Sequence, residues 1–323
     1  MDIPEIMPKV IRTIFFGTPE FAVPTLQRLL DEPDIEVVGV VTQPDARRGR
    51  GNQVSASPVK ELAMTHNLTI WQPERLKKDP ETLSALAASN ADVFVVVAYG
   101  QILSQAILDM PKQGCINVHG SLLPQYRGAA PIQWAIANGE QVMGITTMQM
   151  DAGIDTGAML LKASLELAPD DQAESVTHKL SVLGADLLIE TLRQLDRITP
   201  TPQEDALATY VRMINKEDWQ LDWIKDSIDL HNQIRGFYPN CFANYKGQRL
   251  KITKTEVLTD IDRESSGGSI VGEIKEIIKN IGFTIQTGSG LLLIKELQPA
   301  GKRSQTGWDF ANGVRLNAGE IIS

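Results

Sequence analysis

The sequence predicts an α/β fold in which a first domain with a mostly parallel sheet is followed by a small β-barrel of the OB type. Three observations carry this expectation. Apolar, β-branched runs alternate with helix-like stretches over residues 1–198; the texture turns polar, with Pro200 and Pro202, over a linker at 199–215; and residues 216–323 break into short β-like segments separated by turns rich in Gly and Ser. At 323 residues the chain also exceeds what one hydrophobic core usually serves.

Taken in order, Val10 to Phe16 is a short apolar run ending in Gly17, and Ile35 to Thr42 repeats it after a helix expected over Phe21 to Leu30. Together they read as a βαβ unit. Helices follow at Ser57 to His66 and Pro80 to Ser89, then the strongly apolar strand Asp92 to Ala98. Strands alternating with helices call for a parallel sheet covered on both faces. Gly114 to His119 and Gly144 to Met150 have strand character, with a helix over Ala130 to Asn138 between them. A helix from Glu174 to Leu195 closes the domain, its Val176, Leu180, Leu183, Leu187 and Leu188 recurring at the spacing of a core-packing stripe. Beyond the linker, a helix over Ser227 to Arg235 precedes β-like segments at Cys241 to Tyr245, Arg249 to Val257, Ser269 to Ile278, Gly282 to Thr287 and Leu291 to Gln298.

Composition narrows the function classes. Hydrophobic residues at 42% and charged residues at 22% are ordinary for a globular protein, and no apolar run approaches the roughly 18 residues of a membrane helix. Asp2 and Glu5 replace the basic start of a secretory signal. Cys115 and Cys241 lie far apart without neighbouring Cys or His, which argues against a zinc site and a disulfide framework. A cytoplasmic monomer without a metal is expected. The net charge of −9 argues against gripping nucleic acid by bulk electrostatics. Residues 1–200 hold 16 basic and 24 acidic side chains and residues 201–323 hold 15 and 16, so a polyanionic partner would meet local patches.

Three segments carry chemical interest. Gly17 to Phe21 stands where a dinucleotide fold places its phosphate loop, but no G-x-G-x-x-G occurs, which leaves a strand-to-helix turn. Asn117 and His119 are two apart on a strand and project from one face; at the carboxyl edge of a parallel sheet both would reach the crevice where such sheets bind ligands. Taken alone, the pair also suits an ordinary structural role. Asp151 to Gly157 has glycines that let its backbone bend close to a ligand or a neighbouring strand, and its two acids suit a solvated turn equally well. Their spacing is too irregular for a calcium loop.

In order and spacing, Asn117-Val-His119-Gly-Ser-Leu-Leu-Pro124, Arg127-Gly-Ala-Ala-Pro-Ile-Gln133 and Asp151 to Gly157 together resemble the signature of the 10-formyltetrahydrofolate transferases. Phe16 to Ala22, Thr42 to Asp45, Gly49 to Gly51 and Ser57 to Lys60 are similar to the branch of that family acting on charged initiator methionyl-tRNA. The resemblance implies a Rossmann-like formyltransferase domain, an OB-like tRNA-binding domain, and 10-formyltetrahydrofolate as formyl donor. It puts Asn117, His119 and Asp155 at catalytic positions and Ser121, Leu122, Leu123 and Pro124 beside the folate, with Ala98 to Leu103 bordering the pterin.

An amide and an imidazole suit the oxyanion that develops when an amine attacks a formyl carbon. By the same resemblance Asp155 would orient the imidazole and assist proton transfer, directly or through water. Arg47, Arg48 and Arg50 crowd a glycine-containing stretch, suited to phosphate recognition or simply to an exposed, solubilising loop. The resemblance makes Arg50 the residue of the family's acceptor-arm loop, with Arg47 and Arg48 as additions. Where the family carries two lysines before the second domain, this chain has Met213 and Lys216, which leaves Lys216 as the tRNA contact there. Lys246, Arg249, Lys251 and Lys254 suit either an RNA-facing surface or a solvated sheet face. Trp219, Trp223 and Cys115 are expected in packing. The competing readings are a formyltransferase acting on a small amine, a hydrolase of the same folate and a non-catalytic RNA-binding protein. The basic loop and the second domain favour a tRNA acceptor.

Overall fold

The structure is a computed structural model that describes residues 10–48, 53–258 and 270–323. In chain order its elements are β1 (Ile11–Gly17), α1 (Val23–Asp31), β2 (Ile35–Val41), β3 (Ala46–Arg48), β4 (Gln53–Ser55), α2 (Pro58–Thr65), β5 (Ile70–Trp71), α3 (Pro80–Ala88), β6 (Val93–Val97), α4 (Gln105–Leu108), β7 (Cys115–His119), β8 (Arg127–Gly128), α5 (Pro131–Ala137), β9 (Val142–Gln149), β10 (Met159–Glu166) and α6 (Ala173–Gln194). There follow β11 (Tyr210–Val211), α7 (Ser227–Gly236), β12 (Phe242–Tyr245), β13 (Gln248–Leu258), β14 (Ile274–Ile278), β15 (Gly282–Gln286), β16 (Leu291–Pro299), β17 (Gln305–Thr306) and α8 (Gly307–Val314). The described residues group into two compact units, one from Met1–Gly128, Gly144–Leu165 and Thr177–Tyr210, the other from Ala129–Met143, Glu166–Val176 and Val211–Ser323. Among the described residues no helix is long and apolar enough to cross a membrane.

The first unit is organised by a seven-stranded sheet in the order β10-β9-β7-β6-β1-β2-β5. Neighbours from β7 to β5 run parallel, and β9 is antiparallel to β7. All five residues of β6 are buried, as an apolar run covered on both faces requires. Ser57 and Asp79 cap α2 and α3 by accepting from the backbone N–H groups of Lys60 and Thr82. Helix α6 packs on the face of β7 that carries Val118: a Cβ at Gly184 would lie 2.9 Å from Val118 Cγ1. Strand alternation therefore turns Cys115, Asn117 and His119 to the opposite face, where Cys115 packs in one cluster with Phe94, Val96 and Leu108.

The elements expected from periodicity lie within a few residues of those observed, except that the segment expected from Ser269 begins outside the described residues and its strand is observed at Ile274–Ile278. Strand β10 and the short helices α4 and α8 were not anticipated. β10 alternates between half-buried and exposed residues along most of its length, and such an edge strand has no continuous apolar run.

In the second unit a six-stranded antiparallel sheet runs β12-β13-β16-β15-β14, with β17 added on β16. Leu230 and Ile234 of α7, Phe283 and Ile285 of β15 and Phe310 of α8 fill its core together with Trp223, while Trp219 packs at the margin. The C-terminal residues bond to both ends of the sheet. Ile274 N donates to Glu320 O and Ile322 N to Gly272 O beside β14, while Ser323 N donates to Asn244 O on β12. The two edge strands are thereby covered by one short tail, which supplies partners for backbone groups that an open sheet leaves unpaired.

Candidate active site

Strand β1 sits between β6 and β2, so the strand order reverses at the β1/β6 boundary, where open α/β sheets form their ligand crevice beyond the carboxyl ends. Side chains lace the backbone there. Thr18 Oγ1 donates to Tyr99 O at 3.0 Å and accepts from Gln43 N at 3.3 Å, and Gln43 Nε2 donates to the same carbonyl at 3.2 Å. Ala98, at the end of β6, adopts a left-handed φ of 46°. The Gly17 to Phe21 segment thus supplies a tie between strand ends rather than a glycine-rich phosphate cradle.

His119, at the end of β7, is 6% exposed. Its Nε2 lies 3.0 Å from the Tyr126 carbonyl. A carbonyl only accepts, so Nε2 carries the hydrogen, an assignment made from the bond network. Nδ1 faces Asp155 Oδ1 at 3.6 Å. The other oxygen, Asp155 Oδ2, accepts from Gly128 N at 2.8 Å. Asp155 has a φ of 55°, a conformation that Asp tolerates better than most residues. Asn117, on the same strand face as His119, is half-buried, and among the described residues its amide has no hydrogen-bond partner. The three residues singled out by sequence thus form a held imidazole, a carboxylate aimed at it and an amide left available.

The two acids of the glycine loop separate cleanly. Asp151 Oδ1 accepts from Gly153 N at 3.0 Å and from Thr156 Oγ1 at 2.6 Å, which closes its own turn. Asp155 alone reaches His119. At Gly157 an added Cβ would lie 1.7 Å from Gln149 O, so the loop lies directly on the backbone of β9.

The Ser121 to Pro124 segment splits by burial. Ser121 and Leu123 are buried, while Leu122 and Pro124 are half-buried. Ser121 Oγ donates to Gln125 O at 2.6 Å, and Thr146 Oγ1 accepts from Leu123 N at 3.0 Å while donating to Ser121 O at 2.7 Å. Lys162 Nζ donates to Leu123 O. Thr146 and Lys162 were not found by sequence reasoning. The sole sequence signal for Thr146 is the pair of threonines, Thr146 and Thr147, inside a largely apolar strand. Cys115 is 1% exposed and burial pushes its thiol up to about 12, which removes it as a nucleophile.

The arginine-rich stretch is the stem of an antiparallel hairpin, with Arg47 opposite Val54 and Arg48 opposite Gln53. Arg47 is exposed, and Arg50 lies outside the described residues. In the second unit Lys216 is exposed, at the start of a turn closed by a capping box between Asn215 and Asp218, and has no ion-pair partner among the described residues. Nearby Arg212 is held by both oxygens of Asp218. On the sheet, Lys246 pairs with Glu320 at 2.9 Å and Arg249 stacks 3.8 Å from the Phe242 ring. Among the described residues no cluster of three His, Cys, Asp or Glu side chains could hold a metal ion.

Residues 10–192 match the family model for formyl transferase, and residues 213–315 match that for the formyl transferase C-terminal domain. A methionyl-tRNA formyltransferase of Trichormus variabilis is 55% identical over 97% of this chain and 99% of its own length. Its counterpart from Trichodesmium erythraeum is 54% identical over 97% and 98%. Among solved structures, the fold is similar to an N-formyltransferase from Helicobacter canadensis in complex with folinic acid and dTDP-3-aminofucose. The TM-score is 0.66 at 19% identity, over 88% of this chain and 98% of that one.

Proposed function

The chain belongs to the formyl transferase family, and from that premise we propose that it transfers the formyl group of 10-formyltetrahydrofolate to the α-amino group of methionine on charged initiator methionyl-tRNA. The choice of acceptor is supported by relatives of that name at 52–55% identity over nearly the whole chain. The reading of the chemistry is carried by one observation, the His119–Asp155 pair beside the available amide of Asn117.

The reaction joins the amine nitrogen to the formyl carbon, moves the carbonyl electron pair onto oxygen, and then breaks the bond to N10 as the carbonyl re-forms. Asn117 donates its amide N–H to the oxygen that takes up charge, which acyl-transfer sites commonly do with preorganised donors. His119 is fixed between the Tyr126 carbonyl and Asp155, and approach of the substrate exchanges one of these partners for the reacting oxygen. Asp155 takes the proton that the amine gives up and returns it, directly or through water, to N10 as the bond from N10 to the formyl carbon breaks, so no net proton is lost or gained within the site. Ser121 to Pro124 and the stretch after β6 border the folate in this reading. Arg50, together with Arg47 and Arg48 of β3 and with Lys216, meets the tRNA backbone in this reading, where cations supply affinity.

Incubating the purified protein with 10-formyltetrahydrofolate and methionyl-tRNA, uncharged tRNA, or small amines such as amino sugars tests the reading. Formylation confined to methionyl-tRNA is expected. Transfer to small amines, or formate release without RNA, would contradict it. Arg50→Ala is expected to lose formylation while folate binding is retained; unchanged tRNA dependence would remove Arg50 from the acceptor contact.

A further inference from the structure

We propose that Gln203 is a positioning residue for Asp155, locked in place by Arg127, so that the polar stretch after α6 is a working part of the reaction site. The proposal rests on the catalytic reading of Asp155. Gln203 Nε2 spends both of its hydrogens on the catalytic loop, donating to Asp155 O and to Gly157 O, each at 2.8 Å. Its Oε1 accepts from Arg127 Nε at 2.9 Å. Arg127 is 1% exposed, and its other nitrogens donate to Tyr210 Oη at 2.8 Å and Asp205 Oδ1 at 2.9 Å.

These bonds close a ring around Asp155. Gly128, the residue after Arg127, gives its N–H to the Asp155 carboxylate, while Arg127 itself holds the side chain that holds the Asp155 backbone. Carboxylate and main chain of one residue are thus fixed from two adjacent positions. Asp155 needs such support, because its left-handed φ of 55° persists only where surrounding contacts determine it. Only an amide side chain can donate twice and accept once in this setting. A glutamate at 203 would keep the Arg127 contact and lose both donations. Within the first unit the same stretch is tied down at Thr201, which exchanges two backbone hydrogen bonds with Met159, and at Thr209, whose carbonyl accepts from Arg127 N.

The test is Gln203→Glu and, without added charge, Gln203→Met, each made alone and combined with Asp155→Asn, reading kcat, folate affinity and Tm. Both single variants are expected to lower kcat by about tenfold or more, since small misplacements of catalytic groups carry penalties of that size. Folate affinity is expected to stay within about twofold, and in the Asp155→Asn background the further loss in kcat should be under about twofold, the mark of residues acting as a unit. Normal kcat in both single variants beside a crippled Asp155→Asn overturns the proposal, as do equal fold-losses in both backgrounds. Near-normal turnover in Asp155→Asn alone overturns the catalytic reading and this proposal with it, and that result is distinct from the other two.

Discussion

At the carboxyl edge of the first unit's sheet, the backbone passes through left-handed residues at Ala98, Tyr126 and Asp155. Side chains drawn from distant parts of the chain, Thr18, Gln43 and Gln203 among them, hold it there. In the second unit the left-handed residues Lys246 and Asn280 sit in turns between adjacent strands and Ala130 and Arg315 cap helices, and the sheet is held by apolar packing and its bonded tail. The difference is one of what polar groups are for. Around the candidate site Thr18, Gln43, Ser121, Thr146 and Gln203 fix backbone, while the Asn117 amide bonds nothing among the described residues. On the second unit's sheet, charges pair with each other, as Lys246 does with Glu320 and Lys295 with Glu256.

The contrast is sharpened by substitutions that separate stability from turnover. Phe283→Ala, at a fully buried position against Phe310, should cost about 3–5 kcal/mol of folding stability, read from denaturant unfolding. A loss under about 1 kcal/mol would mean that packing is not what holds this sheet. Asn117→Ala should behave oppositely, lowering kcat by about 10²–10³-fold, the usual effect of losing one oxyanion donor. Because its amide bonds nothing among the described residues, Tm should barely move. A large drop in Tm with normal turnover would make Asn117 structural after all.

Gly157→Ala probes the loop between these extremes. Its Cβ would meet the Gln149 carbonyl, so the loop must shift, at about 1–3 kcal/mol of strain with a fall in turnover and little change in folate affinity. Unchanged kcat would show that loop placement does not matter to Asp155.

The smallest effect concerns acid. Hydrogen bonds from Lys246 and Tyr245 hold the Glu320 carboxyl down at about 2 from an ordinary 4.5. The folded state thus favours the charged form, and the stabilisation is present above pH 4.5 and fades as pH falls toward 2. Glu320→Gln should therefore be slightly less stable than the parent at neutral pH, with the gap closing in acid. A gap that widens in acid would contradict the sign. Solvent screening keeps its size small.

Much of this was legible in sequence, for definite reasons. Buried parallel strands such as β6 announce themselves as unbroken apolar runs. The period of two put Asn117 and His119 on one face. Which acid of Asp151 to Gly157 faces His119 was drawn from family resemblance, because both acids look alike until one is seen closing its own turn. Gln203, Thr146 and Lys162 were out of reach, since each acts on residues 23 or more positions away and no local pattern marks such a contact. Edge strand β10 escaped because its outward residues are polar.

The most direct measurement is kcat and folate affinity of Asp155→Asn on methionyl-tRNA. Asn accepts the same left-handed backbone, so the change removes the carboxylate's charge and basicity with the fold in place. Turnover is expected to fall by about 10²–10⁴-fold, the range for losing a positioned acid–base group, with folate affinity nearly unchanged. Near-normal turnover would contradict that expectation.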